Sequence, residues 1–62
     1  MTWEEEHLRS TACHFTKHRG ESWYSVVQID RDYAEWIVLN QELPDELYEA
    51  LKWGIRHIPD KL

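Results

Sequence analysis

The chain has 62 residues, with twelve acidic residues against seven lysines and arginines and a formal net charge of −5 at pH 7. This length predicts a single domain over residues 1–62. The acidic excess disfavours direct contact with nucleic acid, because the protein and the phosphate backbone repel each other. The single cysteine, Cys13, excludes a disulfide within the chain. Four tryptophans and three tyrosines predict a folded rather than a disordered chain.

The sequence contains no segment typical of targeting or of membrane insertion. Residues 1–6 lack the basic start and the apolar stretch of a signal peptide. The longest apolar run covers residues 36–39, far below the ~20 residues that a membrane-spanning helix needs. We therefore expect a cytoplasmic protein without membrane contact.

Residues 3–18 are predicted to form a first helix. Thr2 and Glu5 have the spacing of a capping box, in which a threonine side chain caps the first turn. Acidic residues in the first turn and basic residues near residue 18 match the two ends of the helix dipole. Gly20 then supplies a residue that adopts the left-handed conformation common at helix ends.

A strand is the competing interpretation for residues 11–18. Cys13 and Phe15 alternate with polar neighbours there, which is the pattern of a half-buried strand. With this strand the fold becomes a βββα meander with a C-terminal helix.

Residues 23–29 and 33–39 are predicted to form an antiparallel hairpin. Both segments are rich in aromatic and β-branched residues, which favour strands. The polar residues 30–32 between them fit a short turn.

The last segment has the clearest helical pattern. Pro44 and Asp45 are suited to its start and Pro59 to its end. Four apolar residues recur at helical spacing on one face: Leu47, Leu51, Ile55 and Ile58. The predicted fold is therefore α+β, with the order α-β-β-α.

Both faces of the predicted hairpin carry apolar side chains, because neighbouring residues of a strand point to opposite sides. Its long edges are also unpaired. Self-association covers such a surface, so we expect a homodimer through the 23–39 ribbon. The predicted interface residues are Trp23, Val27, Trp36 and Val38.

Three histidines lie on one side of the predicted first helix: His7, His14 and His18. Two of them have the i, i+4 spacing that lets two imidazoles reach one metal ion. A stable site needs three or four ligands, and the neighbouring residues do not complete the set. We therefore expect no native metal and no other cofactor.

Cys13 is not expected to act as a nucleophile. Adjacent residues of a helix do not face each other, so Cys13 and His14 would not pair there. The two glycines are isolated, which leaves no oxyanion loop, and so small a chain is poorly suited to build a cleft that excludes water. We expect no enzymatic activity, and a buried apolar role for Cys13.

Acidic and aromatic residues are interleaved along the chain, which predicts a surface suited to a basic protein partner. The main interpretation is a small binding module that inhibits or adapts another protein. A second interpretation is an acidic nucleic-acid mimic, by analogy with small acidic modulators encoded by phages. A third is a histidine-based metal-binding protein. The predicted partner-facing residues are Trp3, Glu4, Glu5, Glu6, Tyr33, Glu35, Asp45, Glu46, Tyr48 and Glu49.

Overall fold

The computed structural model describes residues 2–59, which form four α-helices joined by short connections. The only β pairing within residues 2–59 is one antiparallel bridge between Ala12 and Ser22. The predicted α+β fold with a hairpin is therefore wrong, and so is the βββα alternative. The helices are α1 (Trp3–Ser10), α2 (Trp23–Ile29), α3 (Arg31–Asn40) and α4 (Asp45–His57), with a 3₁₀ turn over Thr16–His18.

The first predicted strand is helix α2. The hydroxyl oxygen of Ser22 accepts a hydrogen bond from the backbone N–H of Ser25 at 3.2 Å, which caps the helix. Trp23, Val26 and Val27 are fully buried, and they recur at the three- and four-residue spacing of one helical face. Burial of that single face outweighs the strand preference of the individual residues, since such preferences are context-dependent.

The second predicted strand is helix α3, and Asp30 joins it to α2. The backbone N–H of Asp30 donates to the carbonyl of Val26 at 2.8 Å, and its own carbonyl accepts from Ala34 at 3.2 Å. Ala34 and Ile37 are fully buried at helical spacing. The predicted break at residues 30–32 exists, but it connects two helices instead of two strands.

Helix α1 begins as predicted and ends eight residues early. The Thr2 hydroxyl accepts from the N–H of Glu5 at 3.2 Å, which confirms the predicted cap. At the other end the Ser10 hydroxyl donates to the carbonyl of Glu6 at 2.8 Å, a local bond that competes with continued helix. Thr11 is already extended, so a helix over residues 3–18 is wrong.

The segment between α1 and α2 is a closed loop instead of a sheet strand. Its two ends are joined by hydrogen bonds from Cys13 N–H to the carbonyl of Glu21 at 2.6 Å and from Trp23 N–H to the carbonyl of Thr11 at 3.0 Å. Gly20 has a φ of 91°, which confirms the predicted left-handed conformation, here inside the loop's turn. Cys13 is buried at 2% exposure, as expected for an apolar role.

Helix α4 is confirmed over most of its predicted length. The N–H of Tyr48 donates to the carbonyl of Pro44 at 2.9 Å, so the first turn closes on the proline. Three of the four predicted apolar residues are buried, and the fourth, Ile55, is partly buried. Like the other helices of residues 2–59, α4 falls short of the length and apolar character that crossing a bilayer requires.

The core lies where α1, α2 and α3 pack against α4. Gly54 allows α1 to approach closely, because a Cβ atom there would lie 2.9 Å from Cδ1 of Leu8 and 3.1 Å from Cδ1 of Ile58. Both of these side chains are buried. The fully or nearly fully buried apolar residues are Leu8, Cys13, Trp23, Val26, Val27, Ala34, Ile37, Leu47, Ala50, Leu51 and Ile58.

Candidate functional site

A cleft of about 440 Å³ lies between the end of α1, the following loop and the start of α4. We call it the α1–α4 cleft. His7, Thr11 and His14 line one side of it, and residues 44–47 line the other. A neighbouring depression of about 280 Å³ is lined by Trp3, Glu6, His7 and Ser10. Because His7 belongs to both, the two form one continuous surface along α1.

Local structure places each side of the α1–α4 cleft. His7 lies in the middle of α1, and Thr11 is the extended residue that directly follows the helix. The loop brings His14 beside them. The centroid of its ring lies 4.3 Å from that of Phe15 and 6.1 Å from that of buried Trp23. Pro44 starts α4 and sets the opposite wall.

The charge of this surface is negative. Asp45 and Glu46 line the α1–α4 cleft and Glu6 lines the neighbouring depression. Among residues 2–59, no lysine or arginine lines the cleft or the depression. The N-terminus of α4 carries a dipole charge of about +0.5, which is smaller than the two negative charges of Asp45 and Glu46. The cleft therefore favours a cation.

The structure brings together four of the predicted partner-facing residues on this surface: Trp3, Glu6, Asp45 and Glu46. Trp3 is 54% exposed, so its ring is available to a partner. Sequence reasoning missed His7 and His14 as neighbours of these carboxylates, because it placed both histidines in one long helix. Their role as walls of a cleft depends on the loop after Ser10, which carries no simple sequence pattern.

The remaining predicted partner-facing residues lie elsewhere. Glu4 and Glu49 border a separate depression that also contains Lys52 and Arg56, so that surface has mixed charge. The carboxylate of Glu5 pairs with Arg9 at 3.0 Å. The others are Tyr33 and Glu35 on α3 and Tyr48 on α4, where Lys52 lies over the tyrosine ring.

Two of the predicted dimer residues, Trp23 and Val27, are fully buried within the chain and unavailable to a second copy. Trp36 is 50% exposed and Val38 is partly buried. The predicted ribbon interface is wrong because no ribbon forms. The homodimer itself stays a prediction.

The histidine stripe does not form, since His7 lies on α1, His14 in the loop and His18 in the 3₁₀ turn. No group of three histidine, cysteine, aspartate or glutamate side chains within residues 2–59 is arranged to hold a metal ion. The sulfur of Cys13 is buried and lies 3.8 Å from the carbonyl oxygen of Phe15. Cys13 lines none of the four depressions described within residues 2–59.

Comparison with known proteins adds no relative from which a function can be transferred. No protein-family model, curated protein or solved structure matches this chain.

A second polar cluster holds the loop against α2 and α3. Nδ1 of His18 lies 2.9 Å from the Glu21 carboxylate, and Nε2 lies 3.1 Å from the Asp30 carboxylate. Lys17 also contacts Asp30, at 2.7 Å, and the Tyr33 ring meets the imidazole edge-on at 5.5 Å. Both ring nitrogens donate only when the imidazole is protonated. The cluster is therefore complete when His18 carries a positive charge.

The same contacts shift the titration of both groups. The hydrogen bond to Asp30, followed by the one to Glu21, raises the pKa of His18 above its ordinary value of 6.5. The hydrogen bond from Lys17, followed by the one from His18, lowers the pKa of Asp30 below 3.8. The contribution of His18 to stability is therefore complete below pH 6.5. It is lost as the pH rises through the higher pKa that His18 has in the folded state. The contribution of Asp30 to stability is complete above pH 3.8. It is lost as the pH falls through the lower pKa that Asp30 has in the folded state.

We expect His18→Gln to lower the melting temperature most at a pH between 3.8 and 6.5, the ordinary pKa values of the Asp30 carboxyl and the His18 imidazole. As the pH rises above 6.5, the difference in melting temperature should shrink, because His18 of the unsubstituted chain loses its proton and can no longer donate from both ring nitrogens. Melting curves followed by circular dichroism across this range measure the effect. His57→Gln makes the same replacement at an exposed position on α4, outside this cluster, and is the matched control. Parallel pH profiles for the two variants would contradict the assigned role of His18.

Proposed function

We propose that this chain is a non-enzymatic protein-binding module, and that its α1–α4 cleft binds a basic side chain of its partner. The observation that carries the proposal is the composition of the cleft. Its walls combine apolar surface from Pro44 and Leu47 with the carboxylates of Asp45 and Glu46. No other depression described here joins apolar walls to an unopposed pair of carboxylates.

An arginine or lysine side chain matches both parts of this cleft. Its long apolar stem packs on apolar surface while its charged end stays at the polar rim. Arginine fits best, because its planar guanidinium donates two parallel hydrogen bonds to a carboxylate. The volume of about 440 Å³ lies within the range of small-ligand pockets, and one side chain fills only part of it.

Trp3 supports the proposal from the neighbouring depression. Tryptophan and arginine are the residues that most often dominate the energy of protein interfaces. A half-exposed indole next to an acidic cleft offers an apolar anchor beside a charged one, and Glu6 lines the same depression as the indole. A partner segment with a basic residue and an adjacent apolar residue would satisfy both.

The proposal is tested with a short peptide of alternating arginine and serine, titrated into isotope-labelled protein and followed by amide NMR. We expect chemical-shift changes concentrated at residues 7, 11, 14 and 44–47. A peptide with citrulline in place of arginine keeps the shape and lacks the charge, so it should not bind. Shift changes spread evenly over every acidic residue would instead favour the nucleic-acid mimic.

A pair of variants with the same net charge separates the cleft from general electrostatics. Asp45→Asn combined with Glu46→Gln removes the two cleft carboxylates, and we expect at least a tenfold loss of peptide affinity, about 1.4 kcal/mol. Asp32→Asn combined with Glu42→Gln removes two exposed carboxylates outside the cleft and should change affinity far less. Equal losses for both pairs would refute a cleft-specific site.

A further inference from the structure

An apolar groove of about 190 Å³ runs between α3 and α4 on a surface separate from the α1–α4 cleft. We call it the α3–α4 groove. Val38 and Leu39 line it from α3, and Ile55 lines it from α4. Its two polar walls are Glu35 on α3 and Lys52 on α4.

Leu39 lines this groove and is largely exposed to solvent. It is 81% exposed, the highest value among the large apolar side chains of residues 2–59. Trp36 lies three residues earlier on α3 and is 50% exposed, so the two are neighbours on the outer side of that helix. The same surface therefore carries an exposed apolar side chain and an apolar groove. Covering a leucine side chain removes apolar area from water, which is favourable, so this surface gains from a partner.

The charges beside the groove identify that partner. Glu35 and Lys52 have opposite signs and lie on opposite walls. In a twofold-symmetric pair, residue i of one copy meets residue j of the other, and residue j meets residue i. A second copy related by a twofold axis that runs along the groove places Glu35 opposite Lys52 twice. A purely basic partner would put a like charge against Lys52, and a purely acidic partner would put one against Glu35.

We propose that the α3–α4 groove is a homodimer interface. Leu39 of each copy inserts between Val38 and Ile55 of the other copy, and Glu35 of each copy pairs with Lys52 of the other. This interface uses none of the residues that line the α1–α4 cleft. The dimer therefore presents two acidic clefts to partners, and its test is independent of the proposed function.

The first test measures association of the full chain by sedimentation equilibrium. We expect the unsubstituted chain to be dimeric at about 100 μM, well above the dissociation constant of a specific complex. Leu39→Ser removes the apolar leucine side chain from both copies, so the loss of binding free energy occurs twice in each dimer. We expect the dissociation constant to rise about 100-fold. Ile29→Ser, at a 43%-exposed apolar position on α2, is the matched control and should leave it unchanged.

The second test exchanges the charges. Glu35→Lys alone puts one lysine opposite each Lys52, which makes two like-charge pairs in the dimer, and Lys52→Glu alone puts one glutamate opposite each Glu35. We expect each variant to be monomeric by itself, with an unchanged far-ultraviolet circular dichroism spectrum. Mixing the two variants restores both opposite-charge pairs, so the mixture should form one-to-one heterodimers.

Recovery of association on mixing is specific to this twofold pairing, because a misfolded variant or an unrelated interface would not produce it. An unsubstituted chain that sediments as a monomer at about 100 μM overturns the proposal. So does a Leu39→Ser variant with an unchanged dissociation constant, or a mixture of the charge variants that stays monomeric.

Discussion

Replacing Trp23 with alanine is expected to destabilise the chain severely. Trp23 is fully buried, and its ring packs against Phe15 at 5.9 Å and His14 at 6.1 Å. Truncating a buried tryptophan to alanine destabilises a protein by about 3–5 kcal/mol. Stability of roughly 0.05–0.15 kcal/mol per residue gives a chain of this length about 3–9 kcal/mol in total. The substitution therefore removes at least about a third of the stability, and all of it at the lower end of this range.

Urea denaturation followed by circular dichroism measures this effect. Trp3→Ala makes the same chemical change at a 54%-exposed position and should shift the midpoint only slightly. Trp23→Phe should be much milder than Trp23→Ala, because it keeps a ring. It also removes an indole N–H that has no hydrogen-bond partner within residues 2–59. Equal midpoints for Trp23→Ala and Trp3→Ala would contradict the central position of Trp23.

The second large effect is expected at Arg31. This residue begins α3, and its guanidinium donates to the carbonyl oxygens of Ile55 and Ile58 at the end of α4. The last carbonyls of a helix have no partner inside the helix, and a cation there also interacts favourably with the helix dipole. Hydrogen bonds to charged groups contribute about 1.5–3 kcal/mol each. Because the two share one side chain, we expect Arg31→Met to cost about 2–4 kcal/mol in all.

Two further variants separate the shape of the side chain from its charge. Arg31→Lys keeps the positive charge but lacks the planar fork that reaches two carbonyls, so its urea midpoint should lie between those of the original and Arg31→Met. Arg56→Met removes a cation from an exposed position in the last turn of α4 and should have a small effect. A loss at Arg56 as large as that at Arg31 would show that charge alone stabilises this helix end.

The two ends of the fold were predictable because their signals are local. A threonine before an acidic turn specifies the cap of α1, and the bond from Glu5 N–H to Thr2 forms as expected. The apolar residues of α4 repeat over several turns, which gives the helical pattern enough length to exclude a strand. The early end of α1 was not predictable in the same way, since it depends on Ser10 and on the bridge between Ala12 and Ser22.

The central segment was misassigned because residue type was given more weight than spacing. Trp23, Val26 and Val27 favour strands individually, yet their spacing places all three on one helical face. The strand interpretation required apolar side chains on both faces of a two-stranded ribbon, a structure that is marginal in water. The helical interpretation buries all three together. Ser22 was the local signal, since serine is a favoured cap and bonds here to Ser25.

The candidate site was predicted in part. Its acidic residues were identified, because carboxylates beside aromatic residues are visible in the sequence. Their grouping was not, since Asp45 and Glu46 meet His7 only through the packing of α1 on α4. Contacts between residues so far apart in the chain carry no local pattern.

The packing of α1 on α4 also bears on how the chain is made. A ribosome adds about 5–20 residues per second in order, so Leu8 is synthesised well before Gly54 and Ile58. Until α4 emerges, Leu8 and Val27 lack the helix that Gly54 brings against them. The core can therefore close only after α4 has been synthesised. During this interval the nascent chain exposes apolar side chains that the finished fold buries.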